Sequence, residues 1–159
     1  MIPEYKLYHG AAIAELVHEL LSPVSIDELN ESGRLSSYVL NSRVGLQIKH
    51  STQRLTPWSF TFTPYNMSEL LALRARFDAV FVVFVCETQG MACLSIEELL
   101  SVSDVGQSEQ VWIRIERRRG KWFQVHGANG PLSTKKPNGL DQLVRYLEVE
   151  NEEPAITQT

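Results

Sequence analysis

The chain has 159 residues, a mass of 18.0 kDa, 43% hydrophobic and 21% charged residues, which excludes a collagen-like, a disordered or a disulfide-stapled polypeptide and fits one domain of ordinary size. Its longest strongly apolar run, Ala79 to Cys86, falls far short of the roughly 20 residues a membrane helix needs, and the start MIPEYK lacks the basic-then-apolar pattern of a secretory signal, so a cytoplasmic protein with no membrane partner is expected. The formal net charge of -4 conceals an asymmetry: residues 1–110 carry 7 basic and 13 acidic side chains, residues 111–147 carry 8 and 2, and residues 148–159 carry 0 and 4. Because fields depend on where charge clusters, the basic segment can still meet a polyanion.

Ile13, Leu16, Val17, Leu20 and Leu21 recur at the spacing of one apolar helix face, and Pro23 ends that helix. Ser25 with Glu28 three residues on has the form of a capping box, predicting a short helix over Ile26 to Asn30 closed at Gly33, with Asp27 in its first turn. From Ser37 the period changes, and three strands are predicted at Ser37 to Leu40, Val44 to His50 and Trp58 to Thr63. In the third, Trp58, Phe60 and Phe62 alternate with polar neighbours, the pattern of one buried face. Pro64 stops it, and Asn66 or Ser68 can cap a helix carrying Leu70, Leu71, Leu73 and Phe77 on one side.

Ala79 to Cys86 is apolar without alternation and reads as a strand covered on both faces. A short strand at Met91 to Leu94 follows the Gly90 turn, and Ser95 with Glu98 opens a helix over Ile96 to Leu100. Beyond the polar loop Val102 to Gln110, strands are predicted at Val111 to Glu116 and Lys121 to His126, then a Gly- and Pro-containing loop to Gly139 and an amphipathic helix over Leu140 to Leu147. Residues 1–147 thus read as a single α/β domain and residues 148–159 as an acidic, disordered tail. Cys86 and Cys93 are too few for a zinc site, and buried thiols are expected.

Gln47, Ile48 and Lys49 form a Gln-x-Lys triplet on a predicted strand. Alternation puts residues 47 and 49 on one face, so an amide oxygen and an ammonium point into one pocket while Ile48 points away. Together with the element order, this triplet resembles the restriction-endonuclease-like (PD-(D/E)xK) nuclease superfamily, with Gln where Glu is usual. The resemblance covers about Tyr8 to Cys86 and implies an α/β (α+β) core of order αβββαβ, extended here by a C-terminal β-hairpin. It also implies hydrolysis of DNA or RNA phosphodiesters with Mg2+ or Mn2+. In that frame Lys49 and Gln47 are catalytic, and the metal ligands are drawn from Gln47, Asn41 or Asp27, and Glu15 or Glu19. A hard divalent cation accepts the amide oxygen of Gln47, though without the charge of a carboxylate, and Lys49 can stabilise charge building on a phosphate. The plainer alternatives are a snorkelling lysine with a polar neighbour and a solvated charged face on the first helix.

The second informative stretch is IERRRGKWF, residues 115–123. Arg117, Arg118, Arg119 and Lys121 cluster at a predicted hairpin tip, with Arg114 on the strand below and Lys135 and Lys136 in the next loop. Such a turn can lie along phosphates of a nucleic acid, or its charges can simply guard a strand edge. Trp112 and Trp122 read as cross-strand packing residues rather than base-stacking platforms. Two further classes of function stand beside the nuclease: a non-catalytic nucleic-acid-binding or protein-interaction module on a degenerate nuclease scaffold, and a homodimer formed through the sheet face or hairpin.

Overall fold

A computed structural model describes residues 1–29, 37–103 and 110–156. In chain order the elements are α1 (Glu4–Glu19), β1 (Ile26–Leu29), β2 (Ser37–Leu40), β3 (Val44–Ser51), β4 (Trp58–Phe62), α2 (Pro64–Arg76), β5 (Ala79–Cys86), β6 (Met91–Ser95), α3 (Ile96–Val102), β7 (Val111–Glu116), β8 (Gln124–Gly127), β9 (Gly130–Pro131) and α4 (Asp141–Ile156). The class is α+β. One sheet has five strands in the order β1-β2-β3-β5-β6, mixed because β3 and β5 run parallel; the other has four antiparallel strands in the order β4-β7-β8-β9. A parallel pair cannot be closed by a hairpin, and β4 with α2 makes the crossover from β3 to β5.

Local chemistry accounts for most boundaries. The β2–β3 turn uses Asn41 and Ser42 at φ 51° and 59°, the positive-φ pair that a type I′ turn needs and that Asn tolerates well. Thr63 caps α2: its hydroxyl accepts from the Asn66 amide N–H (3.1 Å) and the Asn66 side chain accepts from the Thr63 N–H (3.0 Å), with Pro64 as the first helical residue. Ser95 and Glu98 form the expected capping box at α3. At Gly127 a side chain is sterically impossible, since a Cβ there would lie 2.1 Å from the Val102 carbonyl oxygen; this lets β8 close against the end of α3.

β5 divides the interior in two. Val80, Val82, Phe84 and Cys86 face the four-stranded sheet, α2 and α3, while Phe81, Val83 and Val85 face α1 and α4. Phe84 meets Phe60 and Phe62 of β4 edge-on, at centroid distances of 4.9 and 6.0 Å, and so ties the two sheets together. Cys86 and Cys93 fall on opposite sides of this divide, both buried and free; burial pushes each thiol up to about 12, so neither is a reactive thiolate.

Several expectations change. Ile26–Leu29 is a strand, not a helix: Asp27 pairs with Val39 and Glu28 with Tyr38 across to β2, and a ladder over four residues outweighs a cap of about 1 kcal/mol. The predicted closure at Gly33 lies outside the described residues, as does most of the loop from Val102 to Gln110. α1 begins earlier and buries His9, Ala12 and Leu16, leaving Val17 and Leu21 exposed, because the sheet meets the helix about a quarter-turn from the leucine-rich side. Residues Lys121 to Phe123 precede β8, whose strand starts at Gln124, and Phe123 instead bridges to Lys136. Finally, α4 continues from the predicted amphipathic segment into the acidic stretch as far as Ile156.

Candidate functional site

Two regions gather functional groups. The first is a cavity of about 230 Å³ where the end of β3 lies between α1 and α2, lined by Tyr5, His9, Gln47, Lys49, Asn66 and Glu69, with Ile48 and His50 completing the wall. Alternation brings Gln47 and Lys49 to the α2 side of the sheet, as the triplet predicts, and the β2–β3 register (Tyr38 against Leu46) brings Ser37 opposite Gln47. Gln47 is 8% exposed and its amide N–H donates to the Ser37 hydroxyl at 3.4 Å. The Lys49 ammonium stands 4.8 Å from the centroid of Phe62. Burial lowers the Lys49 pKa, since the interior disfavours its charged form, and among the described residues no carboxylate forms an ion pair with it. The electron-rich ring face of Phe62 offsets part of that cost.

On the α1 side, His9 Nδ1 lies 2.8 Å from the Tyr38 hydroxyl. A neutral ring meets the hydroxyl as donor or as acceptor according to its tautomer. Burial, with nearby His50, lowers the His9 pKa and favours this neutral form. His50 stacks on Tyr8 (centroids 4.6 Å apart) and approaches Glu4 at 3.3 Å.

The other candidate metal ligands do not converge on this cavity. Asn41 sits in the β2–β3 turn, at the opposite end of β3 from Lys49, and its side-chain oxygen accepts from the Ser25 N–H at 2.9 Å. Asp27 lies on β1 at the level of Gly45, about 10 Å across the sheet and about 13 Å along it from Lys49 by strand geometry. Glu15 and Glu19 belong to the far half of α1, about 9 and 15 Å along the helix from His9, and Glu19 meets the start of α4. Burial and the neighbouring Glu15 raise the Glu19 pKa, and one Glu19 oxygen is buried without a hydrogen-bond partner among the described residues. Among the described residues no three His, Cys, Asp or Glu side chains are grouped to hold a metal ion. The cavity offers two amides (Gln47 and Asn66), the Tyr5 hydroxyl, the His9 and His50 imidazoles, one carboxylate (Glu69) and the Lys49 ammonium; a single carboxylate set against a cation does not supply the several oxygens and net negative charge of a Mg2+ site.

The second region is the outer face of the four-stranded sheet. Pairing of Arg114 with His126 and of Glu116 with Gln124 puts these side chains on the face away from the core, together with Trp112, Ser59 and Thr61. At one end the face opens into a groove of about 620 Å³ whose wall includes Arg117, Arg118, Lys121, Trp122, His126 and Lys135. Arg117 is anchored: it donates to the Gln89 carbonyl at 2.8 Å and its guanidinium lies 4.6 Å from the Phe123 centroid. Arg114 is paired with Glu116 at 3.0 Å. Arg118, Arg119, Lys121 and Lys135 are exposed.

Lys136, grouped with these by sequence, is a different kind of residue. It is 8% exposed and turns inward, ion-paired with Glu98 and donating to the Gln142 side chain at 2.9 Å. Burial alone would raise the Glu98 pKa; Lys136, the Ser95 N–H and Gln142 outweigh it and hold the carboxyl below its usual range. Lys136 is therefore a buried brace between α3 and α4 rather than a phosphate contact. Of the tryptophans, Trp112 is 46% and Trp122 58% exposed, and Trp112 stands across from Thr61 of β4 on the outer face. Alternation in the reading frame of β7, with Val111, Ile113 and Ile115 buried, is the sequence signal that points Trp112 outward. Ser37 was legible too, because a turn confined to residues 41–43 fixes it opposite Gln47.

Compared with protein-family models, curated proteins and solved structures, the chain matches none.

Proposed function

We propose that this chain is a nucleic-acid-binding module on a nuclease-like scaffold that has no cleavage centre. The observation that carries the reading is the basic groove at the end of the four-stranded sheet, where Arg118, Lys121 and Lys135 are presented to solvent beside Trp122. Clustered, exposed cations release counterions when they meet phosphates, which gives affinity without reading bases. The chain's overall charge of -4 does not oppose this, because screening over about 8 Å makes the local cluster what a phosphate feels.

The scaffold half of the proposal rests on topology. The meander β1-β2-β3, the α2 crossover and the parallel strand β5 fit the αβββαβ order roughly: β1 supplies a strand where a helix was expected, and the expected third strand, Trp58–Thr63, is β4 and joins the second sheet. The Gln-x-Lys triplet occupies β3, and the neighbouring strand, where the nuclease family carries an acid, offers Ser37 at Gln47. Substitution of both acids by neutral groups leaves Lys49 and Glu69 as the charged pair of the cavity, too little negative charge to draw a divalent cation from water.

The test is fluorescence anisotropy of a labelled oligonucleotide across a salt series, alongside supercoiled plasmid incubated with Mn2+. The reading expects binding that weakens as salt rises, and no nicking above a buffer control. Binding indifferent to salt, or none at low salt, removes it; Mn2+-dependent nicking that Lys49→Ala abolishes replaces it with the nuclease.

A further inference from the structure

We infer that the outer face of the four-stranded sheet takes a single strand of nucleic acid rather than a duplex, with bases stacked on Trp112 and Trp122 and phosphates held by the cations gathered beside Trp122. The inference rests on the nucleic-acid reading above and specifies its substrate. Strand alternation lays Trp112, Arg114 and Glu116 along β7, and the register sets His126 and Gln124 beside them on β8. Two residues before Gln124, Trp122 lines the groove with Arg118, Lys121 and Lys135. The face thus has an indole at each end, over a span of about 20 Å at strand spacing, with the Arg114–Glu116 pair, Gln124 and His126 between them and the free cations gathered at the Trp122 end. That length accommodates several nucleotides at 3.4 Å or more per step.

Exposed indoles on an otherwise polar sheet are the discriminating feature. Every base has a π-face on which an indole can stack, but in a duplex those faces are covered by neighbouring base pairs, so an indole standing on a flat sheet reaches them only in an unpaired strand. Both tryptophans are about half exposed, so stacking has area to cover. The electrostatics fit the same occupant: Glu116 is the acid on this face and is already satisfied by Arg114 at 3.0 Å, leaving Arg118, Lys121 and Lys135 for phosphates.

The experiment compares labelled single-stranded DNA and RNA 15-mers with a duplex of the same sequence, for the wild type, Trp112→Ala, Trp122→Ala and Trp122→Phe. The result expected is that one or both single strands bind at least about tenfold more tightly than the duplex. Each alanine variant is expected to weaken single-strand binding about 5- to 100-fold with the salt slope unchanged, and Trp122→Phe to retain most of the affinity. The alanine variants change exposed residues, and circular dichroism superimposable on the wild type shows that they fold. Duplex binding equal to or tighter than single-strand binding, or alanine variants indistinguishable from wild type, overturns the single-strand inference while leaving the nucleic-acid reading intact. Absence of binding to all three nucleic acids overturns both.

Discussion

Lys49 and Lys121 illustrate two ways a protein can hold a cation. Lys49 lies in a polar cavity against an aromatic ring, its charge disfavoured by burial; Lys121 lies in an open groove with Arg118 and Lys135 around it. The first arrangement draws an ammonium partly out of water without pairing it to an anion, which is useful when chemistry occurs beside it and otherwise costs stability. The second keeps several cations hydrated and close together, which favours an extended polyanion. In the proposed reading, the outer sheet face and not the β3 cavity is the working surface.

Four variants break or sharpen that contrast. The largest effect is expected from Phe84→Ala, because Phe84 packs on Phe60 and Phe62 and so joins the sheet carrying the cavity to the sheet carrying the groove. A loss of about 3–5 kcal/mol in urea unfolding is expected, with tryptophan fluorescence and far-UV circular dichroism shifting together; separate transitions would mean that the two regions are independent units.

Next comes Lys136→Met, which removes the partner of Glu98 and should cost about 2–4 kcal/mol near neutral pH. The pH dependence gives the sign. Glu98 is held below its usual pKa in the folded protein, so its contribution is present above the unfolded value and is lost as pH falls through the folded one. Wild-type stability should therefore decline over that acid range more steeply than that of the variant, and the difference between them should shrink at low pH. A variant as stable as wild type at neutral pH would return Lys136 to the surface set.

The paired change Arg118→Glu/Lys121→Glu should weaken oligonucleotide binding at least about tenfold and flatten its salt dependence, while moving stability by no more than about 0.5 kcal/mol. The smallest effect is expected from Lys49→Met. Its folded pKa is lowered, so the charged form costs stability below the unfolded pKa and that cost fades as pH rises towards it. Replacing the ammonium with an apolar chain should leave stability unchanged or raise it by about 1 kcal/mol in thermal melts at pH 7; a clear loss would mean that Lys49 has an anionic partner.

How far the sequence reaches depends on the range of the interaction. Alternation at Trp58, Phe60 and Phe62 and the unbroken apolar run of β5 are local patterns, and both elements stand where those patterns put them. Ser25 and Glu28 make an equally local pattern that loses to pairing with β2, which only the folded chain provides. Lys135 and Lys136 are adjacent in a loop with no periodicity, so their opposite fates turn on Glu98, 38 positions earlier in the chain. At the site, the shared face of Gln47 and Lys49 was legible from the period of a strand. The scatter of Glu15, Glu19, Asp27 and Asn41 was not, because it depends on where β1 and α4 dock. Had Asp27 been placed on a strand, its distance from the triplet would have been visible at once.

The most direct test of the account measures single-stranded oligonucleotide affinity in parallel for the wild type, Lys49→Met and Arg118→Glu/Lys121→Glu, with Mn2+ present and the oligonucleotide checked for cleavage afterwards. The account predicts that Lys49→Met binds within about twofold of wild type, that the groove variant loses at least about tenfold, and that the oligonucleotide stays intact throughout. Unimpaired binding by the groove variant, or cleavage that disappears with Lys49, would contradict it.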